Sequence, residues 1–529
     1  MRYIHNPVLS GFNPDPSILR VNEDYYIATS TFEWFPGVQI HHSKDLINWK
    51  LVARPLNRVS QVDMKGNPNS GGIWAPCLSY NDGIFYLIYT DVKCHDEGIF
   101  DDTNNYLVTT KDIYGEWSDP IYLNSSGFDP SLFHDGDGRK WLVNMTWDFR
   151  PWKNSFGGVL LQEYSEKEKR LVGPITNIFS GTKLGATEAP HLYRRDGYYY
   201  LITAEGGTLW EHAVSMARSE NITGPYEVDP ENPILTSIND CTLELQKSGH
   251  ASLVETHNGE WYMAHLCGRP IPSRGRCILG RETAIQKVKW TQDGWLRLDT
   301  GGNKPFVKVP APNLPEYKWE KEKERDDFDS NELNIHFQTL RIPLGEDVLT
   351  LTERQGYLRL RGRESLSSLH TQSLVARRQQ AFCFEASTCL EFEPRNYQQM
   401  AGLVYFYDTK DFYYLHVTHD EDEKKCLNIM NSFNGKFNYP LKAPVSIAGW
   451  RQVYLKLMVK YDRAQFFYSK DGKQWEKICD MFDCSNLSDE HCQNIGILKF
   501  TGAFVGMCCQ DLSGQRLPAD FDYFEYIEK

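Results

Sequence analysis

Short apolar runs separated by polar turns fill the chain from end to end, and no window carries the three-to-four-residue rhythm of a long helix. In the N-terminal half, five segments share one shape: an apolar run, a tight polar turn, then an aromatic-rich run. The first runs are entered at Asp15-Pro16-Ser17-Ile18, Ala75-Pro76-Cys77-Leu78, Asp129-Pro130-Ser131-Leu132, Glu188-Ala189-Pro190-His191 and His250-Ala251-Ser252-Leu253. The turns between the runs include Asn81-Asp82-Gly83, Arg195-Asp196-Gly197 and Asn258-Gly259, and Asx-Gly between apolar runs is the strongest short-range hairpin signal. With Asp15, Ala75, Asp129, Glu188 and His250 as anchors, the steps are 60, 54, 59 and 62 residues. A repeat slightly longer than a four-stranded blade predicts a five-bladed β-propeller over residues 1–302.

The pattern changes at 303. Residues 303–325 are rich in proline and end in the charge run Glu320-Lys321-Glu322-Lys323-Glu324-Arg325, which predicts a solvated linker. From 326 to 529 short strands return, among them Phe412-Tyr413-Tyr414-Leu415 and Val453-Tyr454-Leu455, and their regular alternation predicts a β-sandwich. The segments around Asp326–Asp329 and Asp520–Tyr526 suit a pair of strands closing that sandwich. Their acids are oxygen ligands of the kind a structural Ca2+ takes, although the spacing does not decide for one. The class is therefore all-β, in two domains joined by a linker.

Composition narrows the partners. A net charge of −13 argues against nucleic acid and anionic membranes, and no stretch reaches transmembrane length. No signal peptide is visible before Asp15, and the 13 cysteines are odd in number and without metal-type spacing. Both point to a reduced, cytoplasmic protein. Aromatic residues at 13% suit stacking on sugar rings, and equally a β core.

Acids stand at three of the five blade entrances, Asp15, Asp129 and Glu188. Proline at a strand entrance is ordinary; acids recurring there are not, and carboxylates gathered on one axis look like a sugar hydrolase site. Glycoside hydrolysis needs one protonated carboxyl beside the leaving oxygen and one carboxylate across from it, about 6.5–9.5 Å apart when a water lies between and about 5–5.5 Å apart otherwise. Separate blades favour the wider gap. A third acid would hold the proton donor's pKa up by like-charge repulsion.

Seven stretches in order, namely Gly11–Ser17, Gly71–Pro76, Gly127–Ser131, Thr187–His191, Gly249–Ser252, Leu279–Thr283 and Phe500–Gly506, resemble glycoside hydrolase family 43. The match is to its two-domain β-xylosidases, with a five-bladed propeller and a C-terminal concanavalin-like β-sandwich. The resemblance implies that Asp15 is the general base, Glu188 the general acid and Asp129 the residue that tunes and orients Glu188, with inversion at the anomeric carbon. It implies substrate contacts for Arg281, for a wall of Phe32 and Trp74, for His250, for Thr208, and for Phe504, delivered by a sandwich loop that closes the pocket. An ion pair of Arg281 with Glu282 or another acid, and core roles for Phe32, Trp74, His250 and Phe504, are the plain alternatives. The activity implied is exo-acting release of xylose from the non-reducing end of β-1,4-xylo-oligosaccharides, without a required cofactor or a catalytic metal, by a homo-dimer or tetramer. Arabinofuranosidase activity, beside it or in its place, is a second reading. A non-catalytic sugar-binding propeller would have lost an acid, and the Asn-Asp-Pro, Arg-Asp-Pro and Glu-Cys motifs of five-bladed fructan hydrolases differ from all three stretches here.

Overall fold

Asp82 and Gly83 both take positive φ (49° and 80°), as do Asp196 and Gly197 (48° and 85°). Two successive left-handed residues make the hairpin turn whose twist matches the strands on either side. These turns join Gly72–Asn81 to Ile84–Cys94 and Glu188–Arg195 to Tyr198–Glu205. The computed structural model describes residues 2–95, 98–272, 274–493 and 498–529. Among the described residues the single α-helix is Asp489–Gln493.

Five antiparallel sheets follow one another, each with its strands in chain order. The first holds Ser17–Val21, Asp24–Thr29, Gln39–Ser43 and Lys50–Ala53; the second Gly72–Asn81, Ile84–Cys94, Asp102–Thr110 and Ile121–Asn124. The third holds Ser131–His134, Lys140–Trp147, Phe156–Ser165 and Arg170–Phe179. The fourth runs from Glu188–Arg195 to Glu227–Val228, with Leu235–Thr236 added beside Ala213–Ser219, and the fifth from Gln246–Glu255 to Leu296–Leu298. These are five blades, as the repeat predicts.

Small hydroxyls tie the innermost strands together. Ser252 Oγ donates to the Pro16 carbonyl (2.8 Å) and accepts from Ile18 N (2.9 Å), joining the fifth blade to the first. Ser17 Oγ accepts from Leu78 N and Ser131 Oγ donates to the Pro190 carbonyl, repeating the device at two more junctions. Together with Cys77 and His191 these serines line an axial cavity of about 290 Å³.

The structure corrects the register of the repeat. The residues with left-handed backbone at the blade entrances are Asp15, Ala75, Asp129, Ala189 and His250, with φ between 38° and 57°. The fourth anchor is thus Ala189, and Glu188 stands one residue before it. At Ala75, Ala189 and His250 the ladder slips locally, as between Glu188↔Ala204 and His191↔Ile202. An extra residue at such a bulge re-aims the side chains next to it. Two rings result: the anchors themselves, and the preceding residues Pro14, Trp74, Phe128, Glu188 and Gly249.

The linker expected at 303–325 is also corrected. Residues up to Trp319 belong to the first unit. Lys308–Pro310 pairs with Tyr3–His5, Val309 and Leu314 are buried in the first unit's core, and Trp319 Nε1 donates to the Asn48 carbonyl. Prolines in an extended segment disguise packed chain, here buried at Pro305, Val309, Pro312 and Leu314.

The second unit comprises residues 320–529 with two excursions from earlier in the chain, Trp34–Pro36 and Gly275–Gly280. Trp34–Phe35 pairs with Thr339–Leu340. Two antiparallel sheets share one core: Phe384, Leu455, Phe466 and Phe521 come from one, Leu403, Tyr405, Leu415, Ile429 and Met507 from the other. Arg325–Asp326 pairs with Pro518–Glu528, the closing pair read from the sequence.

Candidate active site

The three acids enter from separate blades, and Asp15 with its partners' own contacts links four of them. Ser30 Oγ donates to Asp15 Oδ2 at 2.6 Å while accepting from Ala75 N at 2.8 Å, linking the first blade to the second. Arg281 Nη1 reaches Asp15 Oδ1 at 3.4 Å and Thr208 Oγ1 at 3.2 Å. His250 Nδ1 lies 3.6 Å from the same Asp15 oxygen. Asp129 accepts from Ala189 N at 3.1 Å, so the third blade's acid holds the backbone next to Glu188.

Charge is out of balance here. Burial first, then the facing Glu188 and Asp15, pushes the Asp129 carboxyl well above the usual range; the Ala189 N–H and Arg281 oppose this only weakly. Burial and the Asp15 carboxylate push Glu188 up to about 8, against the pull of Arg281. One guanidinium cannot neutralise three carboxylates, so the cluster keeps a proton at neutral pH. Burial lowers the His250 pKa, with Asp15 raising it and Arg281 lowering it, which favours a neutral imidazole.

The walls are aromatic. Phe32 takes positive φ (52°), its ring lies 5.8 Å from Trp74, and the Arg281 guanidinium sits over it at 5.1 Å. Trp74 Nε1 donates to the Ser70 carbonyl at 2.8 Å, which fixes the indole, and its ring meets Phe128 edge-on at 5.5 Å. Gly72 permits this wall: a Cβ there would lie 2.5 Å from the Phe32 carbonyl oxygen.

Asp15, Asp129, Glu188, Phe32, Trp74, Thr208, His250 and Arg281 all lie in the first unit. Phe504 belongs to the second, at the start of strand Phe504–Asp511, fully buried and stacked on Trp34 with ring centroids 3.7 Å apart. Arg281 pairs not with Glu282 but with another acid, Asp15. Glu282 accepts two hydrogen bonds from Arg269 (2.7 and 2.8 Å) and one from Gly11 N, leaving Arg281 to face Asp15.

Several residues escaped the sequence reading. Ser30 and Phe128 are two; Phe128 stands in the same ring as Trp74 and Glu188, a signal visible once the repeat register is right. Glu205 is another. It accepts from Thr182 N (2.7 Å), Thr187 Oγ1 (2.9 Å) and Ser215 Oγ (2.9 Å), so it clamps the segment that leads into Glu188. His212 presses its ring where a Cβ on residue 249 would come within 2.3 Å, which explains Gly249.

Two of the acids considered for Ca2+ are held by arginines. Asp520 is held by Arg354 (2.7 Å) and by Arg359 (2.7 and 2.8 Å), and Arg325 binds Asp327. Among the described residues no group of three or more His, Cys, Asp or Glu side chains is arranged to hold a metal.

A buried carboxyl that stays protonated, opposite a carboxylate with a serine donor and an arginine, can give one proton and take another across a pocket walled by rings. The sequence pattern of the glycosyl hydrolases family 43 matches residues 4–296, and that of a β-xylosidase C-terminal concanavalin A-like domain matches residues 325–527. A β-xylosidase of Bacillus subtilis (strain 168) is 56% identical over 99% of this chain and 100% of its own length. A xylosidase/arabinosidase 43B of Humicola insolens is 51% identical over 99% of this chain and 98% of its own. The crystal structure of a xylan β-1,4-xylosidase from Bacillus halodurans C-125 superposes with a TM-score of 0.97 at 58% identity, covering 99% of this chain and 100% of the other. With both parts of the chain matched end to end and the three acids gathered at the blade entrances, the protein belongs to glycosyl hydrolase family 43.

Proposed function

We propose that the protein is an exo-acting, inverting β-xylosidase that removes xylose from the non-reducing end of xylo-oligosaccharides. The observation that carries the reading is the Glu188 carboxyl held up to about 8 beside Asp15. Glu188 gives its proton to the glycosidic oxygen as the bond from that oxygen to the anomeric carbon breaks. A water attacks that carbon from the opposite face, and Asp15 takes the water's proton. Asp129 holds the Ala189 N–H next to Glu188, and burial together with the Asp15 carboxylate keeps Glu188 protonated. Arg281 and Thr208 bind sugar hydroxyls, with Phe32 and Trp74 as ring walls.

Inversion converts a β-xyloside into α-xylose. A proton NMR time course on xylobiose reads this directly: α-xylose is expected first, followed by mutarotation. If β-xylose leads, Asp15 is a nucleophile and the role assignment fails.

The Humicola insolens relative's double designation supports a second activity, on α-L-arabinofuranosides, in the same pocket. Competition between xylobiose and an aryl arabinofuranoside tests whether one site serves both.

A further inference from the structure

Two loop tips that the reaction above does not use carry exposed aromatic rings, and the strand directions place both on the acid-bearing face. Each innermost strand starts at its anchor residue, so the antiparallel second strand ends, and the third begins, at that same end of the blade. In the second blade this is the turn between Ile84–Cys94 and Asp102–Thr110; in the third it is the turn between Lys140–Trp147 and Phe156–Ser165. Phe100 of the first and Phe149 and Trp152 of the second therefore lie on the side where Asp15, Asp129 and Glu188 lie.

The rings on these tips are continuous with the pocket wall. Trp74 meets Phe128 edge-on, Phe128 lies 6.3 Å from Trp147, and Trp147 packs 5.6 Å from Phe156. Trp147 Nε1 donates to the Ile99 carbonyl at 3.3 Å, joining one tip to the other. Beyond it, Phe100 and Phe149 meet with ring centroids 5.1 Å apart. Here burial stops: Phe100 is 58%, Phe149 48% and Trp152 75% exposed. Large rings left open beside a pocket mark a binding surface, and loop tips on a rigid scaffold commonly carry one.

We propose that Phe100, Phe149 and Trp152 form an outer platform for the leaving part of the substrate, stacking on xylosyl units beyond the one next to the scissile bond. Every second C–H of a pyranose ring points to one face, so that face is apolar and matches an aromatic ring. By sequence the tips carry the acids Asp96, Glu97, Asp101 and Asp148 and the bases Arg150 and Lys153, with Arg150 closed onto Asp148. The excess is acidic, which argues against an anionic ligand, while the rings themselves suit a neutral oligosaccharide. The platform gives an exo-acting pocket a preference for chain length without changing the bond it cleaves.

This inference rests on the β-xylosidase reading, and the test separates the two. The values of kcat/KM for xylobiose, which ends at the first leaving sugar, and for xylotetraose are compared in the wild type, Phe149→Ala and Trp152→Ala. Each substitution is expected to lower the xylotetraose value about three- to tenfold, through KM, and to leave the xylobiose value unchanged. Equal losses on both substrates, or none on xylotetraose, overturn the platform while leaving the β-xylosidase reading intact. A wild type that does not cleave xylobiose overturns that reading and the platform with it. Sedimentation of the same variants closes the remaining route: a change in oligomeric mass shows that the rings cover a second copy of the chain, and the platform falls.

Discussion

Two buried carboxylate clusters, one in each unit, were built to opposite ends. In the second unit Lys499 Nζ lies against both Asp408 and Asp411, at 2.6 Å from Asp411 Oδ2, with all three side chains almost fully buried. The two carboxylates hold the Lys499 pKa up against its own burial, and Asp408 and Asp411 also accept backbone N–H donors. In the first unit three carboxylates face one guanidinium, and the deficit is met by keeping a proton on the Asp129–Glu188 pair. A cluster in which one ammonium meets both carboxylates holds chain segments together. A cluster short of positive charge holds a proton it can release. The second kind is less stable by itself, and that cost is common where chemistry is done.

The comparison breaks most plainly through activity. Glu188→Gln should lower kcat about 10²–10⁴-fold on xylobiose, whose leaving sugar needs a proton. The loss should be much smaller on an aryl xyloside with an acidic phenol, whereas Asp15→Asn should be equally damaging on both. Steady-state kinetics on the two substrates checks this, and identical behaviour of the two variants would remove the distinction between acid and base.

Stability should then move in opposite directions. Lys499→Met strands two buried carboxylates and should cost about 3–5 kcal/mol, read from urea unfolding. Glu188→Gln should instead stabilise. The folded protein keeps this proton up to about 8, whereas the unfolded chain releases it near 4.5, so the wild type loses stability as pH rises through that window. A neutral amide removes the loss; allowing for the partial exposure of Glu188, the gain at pH 7 should be about 1–2 kcal/mol. A Glu188→Gln variant less stable than wild type at pH 7 would contradict the imbalance.

The smallest effect concerns the pH profile. Turnover should fall as pH rises through about 8, where Glu188 loses its proton. Repulsion between carboxylates is mutual, so Asp129→Asn should move that alkaline limb down by about one unit, beside any loss of rate. An unmoved limb would leave Asp129 only its contact with Ala189 N.

Much of the first unit was legible because a blade is local. Its hairpins are short-range turns, and the Asp82-Gly83 and Asp196-Gly197 pairs announce their own backbone. The second unit's strands were legible for the same reason. The fourth blade shows where local reading ends. Glu188-Ala189-Pro190 offers two residues for one structural position, and the ladder slip at Ala189 decides between them. Asp15-Pro16 and Asp129-Pro130 suggest that the proline, not the acid, marks the register.

The sequence by itself determined the five-fold repeat, the sandwich after it and the three acids, since residues close along the chain specify turns, alternation and motif order. Tertiary structure alone decided which charges meet. Arg281 faces Asp15 across 266 positions while its neighbour Glu282 turns to Arg269, and the 303–319 segment becomes part of a domain rather than a tether. The proton on Glu188 was decided there too, because a pKa depends on burial and on charges brought near by folding, and neither is a property of a residue's place in the chain.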